Sequence, residues 1–134
     1  MGRALAAGVM YFAAIFAAGI VLGTARVLLL VPRIGETAAV AAELPLMLAL
    51  SWGVAGALIA RARVPAAVAA RLVMGSAGLM LLLVAEAILA TRGLGQSLAQ
   101  HLAHYATAAG ALGLAGQLGF GLMPLLRRAH SPVR

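Results

Sequence analysis

The chain has no cysteine, lysine, aspartate or asparagine, and only three acidic residues: Glu36, Glu43 and Glu86. Without cysteine there is no disulfide, thiolate metal site or cysteine nucleophile. No phosphate-binding G-x-x-x-x-G-K-[ST], no H-E-x-x-H and no nucleophile elbow occurs, which excludes the chemistries those motifs support. Ser51 and Ser76 have no nearby His or Asp that would suggest a triad. No hydrophilic segment is long enough to hold a catalytic domain, so a non-enzymatic protein without a cofactor is expected.

Charge is scarce as well. Charged residues make up 10% of the 134 residues and hydrophobic ones 64%, with a mean hydropathy of +1.07. A soluble domain is about 45–50% apolar and about 25% charged. This chain cannot cover its surface with polar groups, so lipid must be its solvent. The net charge of +7 could suggest a nucleic-acid partner. The arginines argue against one, because they stand singly or in pairs between apolar runs rather than in a basic stripe with aromatics. Their expected role is topological, marking the cytoplasmic ends of spans.

A spanning helix needs about 20 mostly apolar residues, at about 1.5 Å of rise each. Four runs qualify, at about 4–31, 37–60, 72–90 and 102–126. The first is interrupted by Arg26 and stopped by Pro32. The second contains Glu43 and Pro45 and ends at Arg61. The third contains Glu86, and the fourth ends at Pro124, Arg127 and Arg128. None shows the period-two alternation of barrel strands, and helices keep every backbone group satisfied in lipid. The first run is longer than a signal-peptide core of about 7–15 residues, so it is expected to be a retained span despite Gly23-Thr24-Ala25. The expectation is one all-α transmembrane domain over 1–134, a four-helix bundle. Arg3, Arg61, Arg63, Arg71, Arg127, Arg128 and Arg134 then share one side and Arg26, Arg33 and Arg92 the other, which puts both termini in the cytoplasm.

The few polar groups gather at one depth. Arg26, Glu43 and Glu86 each fall about 6–9 Å below the outer boundary, counted at about 1.5 Å per residue. His101, His104 and Tyr105 open the fourth run on that side, and Arg33 and Glu36 lie just above. A charge at mid-bilayer costs about 2.5–3.5 kcal/mol on the insertion scale, so Arg26 is the natural partner of one glutamate. Glu86 is expected to be the one left over. Blander readings stand beside these. Arg26 could end a shorter first helix at the headgroups, Glu86 could snorkel alone, and Glu43 beside Pro45 could mark a bend. His101 and His104 at i, i+3 could hold a metal or haem, or simply start an interfacial helix. Trp52 is an interface anchor or a packing residue. Gly19 and Gly23 form a G-x-x-x-G, and Gly110, Gly113, Gly116 and Gly119 recur every three residues. Both patterns point to close helix packing.

The stretch Tyr11-Phe12 through Gly23-Thr24-Ala25-Arg26-Val27, then Pro32-Arg33-Ile34-Gly35-Glu36, Glu43-Leu44-Pro45-Leu46-Met47 and Ser51-Trp52 resembles a family of small uncharacterised bacterial inner-membrane proteins with four predicted spans. The resemblance covers roughly the first half of the chain. It implies the fold and a bacterial inner-membrane location, and it joins Arg26, Arg33, Glu36, Glu43 and Pro45 in one motif. It carries no known activity. The first expectation for function is a non-catalytic accessory or assembly subunit, in contact with lipid and with a membrane-protein partner or further copies of itself. Its rival is a small proton- or ion-coupled transporter or channel using Glu43 and Glu86. A third, weaker reading is a haem- or quinone-binding subunit using His101 or His104.

Overall fold

A computed structural model of the chain describes residues 1–129. The tail 130–134, which includes Arg134 of the topology count, and the Arg128 side chain lie outside the described residues. The described chain is helical with no strand. Six α-helices follow in order: α1 (Gly2–Ala25), α2 (Val31–Ile34), α3 (Glu36–Ala62), α4 (Val68–Ile88), α5 (Leu98–His104) and α6 (Ala108–Ala129). Wider π-helical turns at Arg26–Leu30 and Leu89–Gly93 prolong α1 and α4. Four continuous helices are long and apolar enough to cross a membrane: Gly2–Ile34, Glu36–Ala62, Val68–Gly93 and Ala108–Arg127. Large apolar side chains such as Val21, Leu28, Met80 and Leu122 point outward along them. A soluble monomer rarely tolerates apolar surface on that scale.

Local chemistry sets the boundaries, and two differ from the sequence expectation. Pro32 does not stop the first span. It sits at the start of α2, just past the π turn, where Val31 N–H bonds the Arg26 carbonyl. Proline lacks the N–H that the next rung would use. The helix breaks instead at Gly35, whose φ of +83° is open to glycine. Glu36 then begins α3, where its charge suits the helix N-terminus. The fourth span does not begin near residue 102. Ser97 and Gln100 form a capping box that starts the separate short helix α5. The Thr107 hydroxyl accepts the Gly110 N–H at 3.0 Å and starts α6. The end of the fourth span is where the sequence puts it, at Arg127, with Pro124 inside α6.

The long helices form a ring in which α1 and α6 each pack against both α3 and α4. The α1–α6 diagonal is bridged at Tyr11. Its ring stacks on Phe120 with centroids 4.1 Å apart. Its hydroxyl donates to the Phe120 carbonyl at 2.7 Å. That carbonyl is the one Pro124, four residues on, cannot engage, so the proline creates the acceptor that Tyr11 satisfies.

Close approach comes from Gly8 and Gly75, outside the two patterned sets, and from Gly110, Gly116 and Gly119 within the second of them. A Cβ on Gly8 would stand 2.7 Å from the Met74 carbonyl oxygen, and one on Gly75 would strike the Gly121 carbonyl. These fix α1 on α4 and α4 on α6. By contrast, Gly19 has only Met47 within reach, Gly23 has only Arg26 and Gly113 has no neighbour within 4 Å. All three line an internal cavity. Gly116 and Gly119 do pack, against Leu44 and Leu48 of α3.

Arg71, counted from sequence as a loop charge, is buried in the first turn of α4. It donates to the carbonyls of Pro65 at 3.0 Å and Pro124 at 3.3 Å, tying the helix ends together. Trp52 is half-buried, and the Arg127 guanidinium lies 4.7 Å from its ring centroid, a cation–π contact.

Candidate functional site

The polar groups meet at the end of the bundle that carries α2 and α5. Arg26 Nη1 donates to Glu43 Oε2 at 2.9 Å, linking the end of α1 to α3. Helix therefore continues through Arg26 rather than ending there. Glu86 is not in that ion pair. Its carboxylate accepts from the Gln117 side-chain amide of α6. The two pairs form a layer contributed by all four long helices. It lies deeper than the expected 6–9 Å, because the first span continues for eight residues beyond Arg26, to Ile34. That is about 12 Å at about 1.5 Å per residue.

Above the layer is a small vestibule of about 180 Å³, lined by Glu36, Glu86, His101, His104, Tyr105, Arg26 and Gln117 among others. Helix α5 roofs it. The Tyr105 hydroxyl and His101 Nε2 lie 3.4 Å apart, and their rings meet edge to face. His104 Nε2 stands 3.5 Å from Glu36 Oε1, with both side chains about half exposed. Partial burial pushes the Tyr105 phenol up, and the nearby Glu86 carboxylate pushes it the same way. Arg33 is exposed and lines neither cavity. Among the described residues, no three His, Asp or Glu side chains come together as metal ligands would. The two histidines are turned to different partners, Tyr105 and Glu36.

Below the layer is a larger cavity of about 600 Å³. Phe16, Leu44, Met47, Leu48 and Leu82 supply apolar wall, and Ser51 and Phe120 lie at its inner end. Arg26, Glu43, Glu86 and Gln117 close its polar end. Arg26, Glu86 and Gln117 therefore line both spaces. The arrangement places an ionisable carboxylate between a polar vestibule and an apolar chamber, with an internal ion pair beside it. Such a carboxylate can take up a proton or a cation from the vestibule and present its charge or its neutral form to the chamber.

Gln117 is absent from the residues that the sequence brings forward, and Tyr11 and Arg71 figure there only in the resemblance and in the arginine count. Gln117 is the sole polar residue between Ala108 and Leu126, and that isolation was the available signal. An amide carries no charge, so the search for costly intramembrane charges does not reach it. Tyr11 and Arg71 gave no such sign, because their partners are backbone carbonyls on distant helices.

Searches of protein-family models, curated proteins and solved structures find no match for this chain, so the resemblance of its first half to a four-span family rests on nothing firmer than the four long apolar helices.

Proposed function

We propose that this is a small multi-pass transporter of the bacterial inner membrane, non-enzymatic, moving protons or an ion-coupled solute past Glu86. The observation that supports it is the position of Glu86 on the walls of both cavities, while Arg26 is already engaged by Glu43. A charged residue inside a span is costly and marks a transport path or proton relay by default. An accessory subunit has no need of a carboxylate between two chambers, so this reading ranks above that expectation. The protein works in lipid, alone or as a homo-oligomer.

Purified protein in liposomes with an imposed pH gradient is expected to dissipate that gradient faster than protein-free liposomes. Rates equal to the protein-free control, with and without added monovalent cations, would end the transport reading.

The same reading puts both termini in the cytoplasm and the vestibule on the outer side, from the arginine bias of seven to three. Reporters fused at the C-terminus and inserted in the 94–97 loop are expected to report opposite compartments. If both report one compartment, the four-span orientation is wrong.

A further inference from the structure

The inner cavity has the features of a binding site for an organic molecule, and its walls constrain which kind. Its volume of about 600 Å³ lies within the range of about 300–1,000 Å³ usual for small-ligand pockets. The walls are apolar and call for an apolar body.

The polar end is more selective. The side chains of Arg26 and Glu43 are paired at 2.9 Å, so their charges of +1 and −1 cancel. An ionised Glu86 then leaves one negative charge facing the chamber. Beside it, Gln117 donates its amide N–H to Glu86, but Gln117 Oε1 is buried with no hydrogen-bond partner. A buried acceptor without a donor is costly, so the site lacks a donor. A group that carries both a positive charge and N–H donors answers both needs at once. An anion would face Glu86 with like charge.

The route in is visible as well. The cavity wall includes Ile20, Val27 and Leu28 on the first span and Leu89 and Leu94 at the end of the third. All five are exposed apolar side chains, with Leu28 and Leu94 each 67% exposed. Gly8 and Met74 hold these two spans together at the opposite end. Between the upper halves the cavity therefore opens through an apolar rim that faces lipid, not water.

We infer that the inner cavity binds an amphipathic organic amine, entering sideways from the membrane between the first and third spans, with its ammonium group against the Glu86 carboxylate and the unpartnered Gln117 Oε1. This names the cargo class for the transport reading and rests on it for biological meaning. Binding can nevertheless be measured without transport.

The test uses the full chain in lipid nanodiscs and three pyrene probes of one shape: pyrenemethylamine, pyrenemethanol and pyrenecarboxylate. Binding is read by fluorescence anisotropy against empty nanodiscs. The amine is expected to bind at least about tenfold more tightly than the alcohol, about 1.4 kcal/mol, and the carboxylate not above background. Glu86→Gln is expected to erase the preference of amine over alcohol. Gly19→Leu fills the cavity where only Met47 is within reach of a side chain, and it is expected to block amine and alcohol alike. Equal binding of amine and carboxylate, or an amine preference that survives Glu86→Gln, would overturn the inference. So would full binding in Gly19→Leu. Amine binding in a protein that dissipates no gradient would sink transport alone, and gradient dissipation without amine binding would sink this inference alone.

Discussion

Replacing Glu86 with glutamine is expected to reduce gradient dissipation to the protein-free background while leaving the bundle folded. The substitution keeps the shape and the contact with Gln117, since a glutamine amide can still meet that side chain. It can even donate to the orphaned Gln117 Oε1, so stability should be equal or slightly improved. What it removes is the one ionisable group that lines both cavities yet stands outside the Arg26–Glu43 pair. Glu43 is unsuited to this test. Its loss leaves the partly buried Arg26 without its carboxylate, and breaking such a pair is a stability defect in its own right. Parallel measurements of helicity, thermal midpoint and flux separate the two effects. Undiminished flux in a folded Glu86→Gln protein would remove the carboxylate from the mechanism.

The largest effect on stability is expected at Tyr11. Truncating a buried aromatic to alanine costs about 3–5 kcal/mol in soluble cores. In lipid the transfer part of that cost shrinks, because the separated helices are also in an apolar medium. The packing part remains, and Tyr11 is fully buried and stacked on Phe120. Tyr11→Ala is therefore expected near the low end, about 3 kcal/mol. Tyr11→Phe keeps the stack and loses only the bond to the Phe120 carbonyl, for which about 0.6–1.7 kcal/mol is the scale in membrane helices. The check is reversible unfolding in mixed detergent micelles. A Tyr11→Phe variant as unstable as Tyr11→Ala would mean that the hydroxyl, not the stacked ring, holds α1 to α6.

Among these residues some features were legible early because they depend on composition and on spacing along one chain. Four apolar runs in a sequence this poor in charge leave helices through lipid as the economical structure, since an unpaired backbone is untenable there. The shared level of Arg26, Glu43 and Glu86 follows from counting residues, because helical rise is constant, but their distance from the helix ends does not, because the first span runs past Pro32 to Ile34. Helix ends were less legible. Pro32 does not end the first span, because a π turn satisfies the backbone it frees, and α6 starts later than the apolar run, at its own cap. The true signals were the positive φ at Gly35 and the Thr107 cap.

What the sequence determined by itself was the material of this protein: an all-helical chain with four spans' worth of apolar residues and its few ionisable groups at matched depth. Tertiary structure decided who meets whom. The Arg26–Glu43 pair, with Glu86 left over, already follows from matched depth along the chain, whereas rotation about the helix axes is what brought Gln117 to Glu86. It also turned Gly19, Gly23 and Gly113 toward an open chamber instead of a helix contact. Depth is a property of one helix, but azimuth is set by how four helices pack. That packing rests on Gly8, Gly75 and Tyr11, whose partners lie on other helices at long range in the chain.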